Sequence, residues 1–287
     1  MDLVLHPEVK EEVRKFITNP SHALLIIGPA GLGKGTLCNY IAAKLLSIDS
    51  ANLDKYPYFK RVLSDSSISI DEIRALQSFT SLKTIGKRSV RRLIIIENAE
   101  TMTLEAQNAF LKLLEEPPAD TVIVMSATSR QALLPTVQSR MQKISLKKLD
   151  KQLIFDHFKK YNHLTSDIER AYNLSDGHIG SMAAILDANE EHPYVKAVNR
   201  AKQILGMKTF ERLQQIDELS RQKEDLPALL SAMRRISRTM LIKSSQNGQT
   251  AQLRSWHRRM SQILKSESQL TKNAQPKLLL TDLFINL

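Results

Sequence analysis

The stretch that most constrains this chain is Gly28-Pro-Ala-Gly31-Leu-Gly33-Lys34-Gly35-Thr36, which follows the aliphatic run Ala23–Ile27 and opens a helical pattern. A strand that delivers a glycine-rich loop to the first turn of a helix gathers backbone N–H groups around phosphate oxygens. The positive end of the helix adds to the pull, and Lys34 supplies a point charge for the terminal phosphates. Gly28, Gly31, Gly33, Lys34, Gly35 and Thr36 are therefore the candidate nucleotide-binding residues. Such a loop needs a parallel sheet behind it, and the first half of the chain provides candidate strands at Tyr58–Leu63, Leu93–Ile96, Val122–Met125 and Lys143–Leu146. Helical patterns separate them, with readable ends: Ser69 and Glu72 form a capping box, and Thr103 caps a helix that stops at Pro117. Alternating strands and helices specify an α/β fold.

Two positions depart from the usual phosphate-site chemistry. The residue after Lys34 is Gly35, where a Ser or Thr hydroxyl normally holds Mg²⁺, and Thr36 comes one place late. This Gly-Lys-Gly-Thr form resembles the loop of adenylate kinase and its relatives, so ATP or ADP binding is compatible with the loop although the magnesium ligand is missing and no cofactor is required, and a nucleoside monophosphate kinase enters as an alternative. The run Leu93–Ile96 then delivers Glu97, Asn98 and Glu100 just past a buried strand. There, P-loop proteins keep a metal-binding Asp and a water-activating acid, although a charged strand end facing solvent has the same pattern.

Residues 97–118, ENAETMTLEAQNAFLKLLEEPP, resemble the segment D-E-A-D-x-M-T-x-x-A-Q-N-A-L-L-K-x-L-E-E-P-P of bacterial and eukaryotic AAA+ clamp loaders. Ser139-Arg140-Met141 is similar to that family's Ser-Arg-Cys motif, and Ile70–Arg74 to one of its helix starts. The resemblance runs from about Gly28 to Leu186. It implies an AAA+ P-loop parallel-sheet domain over 1–149, a small helical lid over 150–190, and an all-α collar for oligomerisation over 191–287. It also implies a place in the clamp loader of bacterial DNA polymerase III. The partners would be gamma/tau-like and delta-like subunits, the sliding clamp and primed DNA.

Set on the same pattern, Glu97 falls at the metal-organising Asp and Asn98 at the catalytic Glu, and an amide cannot accept a proton from attacking water as a carboxylate does. Ser175–Ala183 resembles the family's second sensor, with Gly180 where active subunits carry an arginine; the Gly-x-x-Gly form is that of delta-prime subunits. Arg140 is kept, and in this family that arginine reaches the ATP of a neighbouring subunit, where a planar guanidinium neutralises charge on the transferred phosphoryl group. A surface salt bridge at a strand edge is the alternative for it. The resemblance thus implies a stator with a degenerate site, no intrinsic ATPase and an arginine acting in trans. An ATP-hydrolysing motor subunit is the alternative if Thr36 can replace the missing hydroxyl and Glu97 or Glu100 can serve as base. The kinase alternative has no arginine-rich lid to rest on. Residues 47–60 lack the four-cysteine module of many family members, so neither zinc nor any other metal site is expected, and His157, His163 and His178 read as isolated core or surface residues.

Charge and composition narrow the setting. The 287-residue chain has a net charge of +11, which suggests a polyanionic partner. No apolar run approaches the roughly 20 residues needed to span a bilayer, and the opening MDLVLHPEVKEE has charges where a signal peptide needs an apolar stretch. A cytoplasmic protein without a membrane partner is expected. The one cysteine, Cys38, excludes an internal disulfide. In residues 196–259 basic side chains recur among Ile, Leu and Met, and Trp256 sits beside His257, Arg258 and Arg259. Solvated faces of an oligomerisation domain and direct DNA contact both fit that pattern.

Overall fold

The computed structural model describes residues 3–63, 67–86 and 89–287. Contacts divide the chain into two compact units, 1–150 and 151–287.

Among the described residues the first unit holds five strands, β1 (Ala23–Ile27), β2 (Phe59–Val62), β3 (Arg92–Ile96), β4 (Thr121–Ala127) and β5 (Gln142–Ser145). All pair in parallel, in the order β2-β3-β4-β1-β5. Its helices are α1 (Pro7–Thr18), α2 (Lys34–Leu46), α3 (Ile70–Ser81), α4 (Leu104–Glu115) and α5 (Pro135–Ser139). Every residue of β1, β3 and β4 is buried, because helices cover both faces of the sheet. This is why the strands read as unbroken aliphatic runs rather than as alternating patterns. Leu25, Ile27, Ile94 and Ile96 pack with Leu76 of α3 and Phe110 of α4. Leu24, Ile26, Leu93 and Ile95 point the other way, onto Phe16 of α1 and Ile41 of α2. Burying one such side chain stabilises the fold by about 1.5–3 kcal/mol.

The expected helix ends are present. Ser69 Oγ accepts from the Glu72 amide at 3.4 Å, and Glu72 Oε2 accepts from the Ser69 amide at 2.7 Å, which completes the capping box of α3. Thr103 Oγ1 accepts from the Ala106 amide at 3.2 Å and caps α4, which ends at Glu115 as the Pro117-Pro118 pair approaches. β1 has the ends expected, and the other four strands differ from expectation by one or two residues, since fraying ends leave little signature in sequence. The strand order sets β4 between β1 and β3. The carboxyl ends of β1 and β3 therefore flank β4, the end of an open sheet where ligands bind.

The second unit is helical: α6 (Lys151–Lys159), α7 (Thr165–Ser175), α8 (Ile179–Leu186), α9 (Pro193–Gly206), α10 (Thr209–Gln214), α11 (Ile216–Arg221), α12 (Leu226–Gln246), α13 (Thr250–Thr271) and α14 (Pro276–Asn286). Ile204, Leu230, Met233, Ile263, Leu280 and Phe284 form its core. The polar segment Ser244–Gln249 ends α12 and turns the chain into α13, with Gly248 at φ 68°. On α6, Ile154 and Phe158 are buried, whereas Leu153 is 42% exposed, on the far side of the helix. Arg235 of α12 donates to the Ser175 carbonyl at 2.9 Å and to Tyr194 Oη at 3.0 Å, while Tyr194 donates to the Leu174 carbonyl at 2.5 Å. That network ties the end of α7 to α9 and α12. Among the described residues, no helix is long and apolar enough to cross a membrane.

Candidate nucleotide site

The loop after β1 has the backbone that phosphate binding requires. Gly31 and Gly33 both take φ 84°, a region that side-chain-bearing residues rarely enter, and Gly33 is the N-cap of α2. Gly28 donates its N–H to the Ala127 carbonyl at 3.1 Å, which anchors the loop to β4. Lys34 is buried, with Nζ donating to the loop's own carbonyls at Gly28 (2.7 Å) and Pro29 (3.2 Å). Burial pulls its ammonium below the usual lysine range, opposed chiefly by the carboxylate of Glu100. Thr36 is exposed and lines a surface hollow with Asn39, Tyr40 and Lys44.

At the end of β3 the geometry differs from that of a metal-assisted site. Glu97 leaves the strand with its N–H bound to the Val62 carbonyl at 2.9 Å, and its Oε1 accepts from Arg61 Nη1 at 2.5 Å. The other end of the Arg61 fork donates to Asn39 Oδ1 of α2 at 2.8 Å, and the guanidinium lies 5.4 Å from the centre of the Phe59 ring. A Cβ placed on Gly35 would stand 2.8 Å from Glu97 Oε2. The carboxylate thus fills the space in which residue 35 would present a hydroxyl to a metal ion. Asn98 is exposed in a left-handed conformation, φ 51°, with its N–H 3.3 Å from Ser126 Oγ. Glu100 has a buried Oε2 with no hydrogen-bond partner.

The loop therefore fits the phosphates of a nucleotide. The residues present do not fit the magnesium ion that usually accompanies it. The hydroxyl ligand is replaced by Gly35, and the carboxylate that would organise the metal is held by a guanidinium. Among the described residues, no group of three or more His, Cys, Asp and Glu is placed to hold a metal. Cys38, one turn along α2, is buried, and burial pushes its thiol up to about 12, with the Glu97 charge adding to the effect.

Sequence reasoning singled out Glu97 and Gly35 but passed over Arg61 and Asn39. The signal was faint: an arginine inside the short run Phe59–Val62, whose pairing partner is fixed only by the parallel register Arg61↔Ile95. Arg140 belongs to a different cluster. It caps α5, its Nη1 donates to the Thr136 carbonyl at 2.9 Å, and its Nη2 pairs with Glu115 Oε1 of α4 at 2.7 Å, leaving 36% of the side chain exposed. Gly180 lies in the first turn of α8.

A phosphate loop at the end of β1, an acidic strand end at β3, β4 between them and a helical second unit together define an AAA+ P-loop fold. A DNA polymerase III gamma subunit-related protein from Thermotoga maritima shares that fold, with a TM-score of 0.56 at 19% identity over 96% of this chain and 97% of that one. The chain belongs to the family described as DNA polymerase III, delta subunit, whose model matches residues 7–150. DNA polymerase III subunit delta' of Bacillus subtilis is 32% identical over 52% of this chain and 51% of its own length. The corresponding subunit of Pseudomonas aeruginosa is 31% identical over 42% of this chain and 41% of its own. These alignments span about half the length of the curated relatives or less.

Proposed function

We propose that the protein is a delta-prime-like stator of a DNA polymerase III clamp loader. In this role it helps to place a sliding clamp on primed DNA beside gamma/tau-like and delta-like subunits, and it does not hydrolyse ATP itself. The observation that carries the reading is the Arg61–Glu97 pair. Hydrolysis by a P-loop site draws on a metal, a carboxylate to hold it and a second carboxylate to activate water. In this chain the first carboxylate is bound to a cation from its own sheet, and an exposed amide, Asn98, stands where the second would be. Nucleotide binding at the loop, where it occurs, serves structure. Residues 150–190 act as lid and 191–287 as collar in this reading.

Arg140 is the part of the apparatus that acts outward. Its guanidinium is half-exposed, in a flat fork suited to phosphate oxygens, and its role is to meet the nucleotide of an adjacent subunit. The motor alternative has one observation in its favour, the unbonded buried oxygen of Glu100, the chief charge opposing the shift on Lys34. Steady-state phosphate release by the purified chain, with and without primed DNA, separates the two. Background rates are expected, whereas turnover abolished by Lys34→Ala establishes the motor reading. In a reconstituted loader, Arg140→Ala is expected to lower total ATPase partially and clamp loading more. An arginine of this kind contributes roughly 10³–10⁵ in rate at the one site it serves. Clamp loading at the normal rate by the Arg140→Ala complex refutes the role in trans.

A further inference from the structure

The second unit carries a strongly basic segment. From Arg234 to Thr281 the chain carries ten Lys or Arg residues and a single carboxylate, Glu267. That carboxylate is turned inward, where it accepts from Arg234 Nε of α12 at 3.0 Å. The outer side of α13 is left with cations. Arg254, Arg258, Lys265 and Lys272 follow one another at intervals of four, seven and seven residues. At 3.6 residues per turn these spacings keep all four within roughly 40° of one another around the helix. All four are exposed, as are Ser261 and Ser268, which fall in the gaps of the same line. At about 1.5 Å of rise per residue the line is about 27 Å long.

Only Lys265 of the four has an acidic partner, Asp282 at 2.8 Å, and that pair is itself half-exposed. The core side of the helix is made by Trp256, Ile263 and Leu270, so the cations do not pack the fold together. Like charges on one line repel one another, and apart from the Lys265–Asp282 pair no ion pair among the described residues offsets that. They are complementary to an elongated polyanion. A membrane surface or an amphipathic peptide would need apolar anchors along the line, and its gaps hold serines. The strand of a duplex curves away from a straight line within a few base pairs, because 27 Å is about eight base pairs at roughly 3.4 Å each. A flexible single strand can follow the whole length, with serine hydroxyls adding neutral phosphate contacts.

We propose that the outer face of α13 is a binding surface for the backbone of a single-stranded nucleic acid, read by charge and not by sequence. The proposal rests on the charge placement alone and holds whether or not the phosphate loop is catalytically silent.

The test uses the full chain and a fluorescently labelled 20-nucleotide oligothymidine, with anisotropy measured across a salt series. Four phosphate contacts on a single strand predict a slope of log K against log salt of about −2.8 from this surface. Arg254→Gln/Arg258→Gln removes two of them, and Gln keeps helix propensity. The slope should become shallower by about 1.4 and affinity at 0.1 M salt should fall roughly 25-fold. Lys159→Gln/Lys160→Gln, an equal loss of charge at exposed positions on α6 and just after it, is the control and should move the slope far less. Equal slopes for the two double variants would overturn the proposal, since binding would then follow net charge only. Tighter binding of a 20-base-pair duplex than of the single strand, or displacement of the oligomer by phosphatidylserine vesicles at lower charge concentration than by unlabelled oligomer, would also overturn it.

Discussion

Removing Arg61 tests the reading of the site at its centre. Arg61→Ala takes a guanidinium, 22% exposed, from a carboxylate that is 19% exposed. The charge-assisted bond to Glu97 contributes about 1.5–3 kcal/mol, the bond to Asn39 about 1, and the contact over Phe59 about 0.5–1. Partial access of water to Glu97 trims the total, and a loss of about 3 kcal/mol in the first unit is expected. In a Glu97→Gln background the same substitution should cost about 1.5–2 kcal/mol, a coupling of about 1–1.5. The one tryptophan, Trp256, lies in the second unit, so its fluorescence reports on the wrong part of the chain. Hydrogen exchange of peptides covering β2 and β3, read by mass spectrometry on the full chain, measures the right one. Single and double variants that add to within about 0.5 kcal/mol would show that Arg61 and Glu97 are independent surface charges. The account of a guanidinium in the metal's place would then fail.

Gly35→Ala should be nearly neutral, because about 1 kcal/mol of helix propensity is offset by crowding of Glu97, which Arg61 holds in place. In the Arg61→Ala background the same change should stabilise by up to about 1 kcal/mol, and equal effects in both backgrounds would refute the crowding. Cys38, with its thiol pushed up to about 12, is a thiolate in roughly one molecule in 10⁴ at pH 8. Labelling by a thiol reagent should await unfolding, and rapid native-state labelling would contradict its burial. At Asp120 burial pushes the carboxyl up, but the hydrogen bond from Thr84 and the charges of Arg92 and Arg91 outweigh it and hold the group below its usual range. Its contribution is therefore present above about pH 4 and lost as pH falls further. The stability gap between the protein and Asp120→Asn should close as pH falls below about 4, and a gap that widens in acid would reverse the sign.

Much of the sheet was legible in the sequence because both of its faces are covered. Runs such as Leu24-Leu25-Ile26 and Leu93-Ile94-Ile95 carry the whole signal for a doubly buried strand. Helix ends with side-chain caps, at Ser69 and Thr103, were legible for the same local reason. Arg61 was not, because its meaning depends on which strand lies beside β3, a non-local fact. The carboxylate of Glu97 was found by its place after a strand, whereas what binds it came from β2 and α2.

The pairing of Arg140 with Glu115 means that this arginine is a group already in use. Releasing it from an exposed pair, with side chains 36% and 51% accessible, costs at most about 1 kcal/mol. At that limit the free form is populated in roughly one molecule in six, and any site that recruits the arginine loses no more than about six-fold in apparent affinity. Salt weakens the internal pair and the outward contact alike, so raising ionic strength frees Arg140 while reducing what it gains by moving. Glu115→Gln would change only the first of these. It sets the waiting population of the arginine without touching its destination.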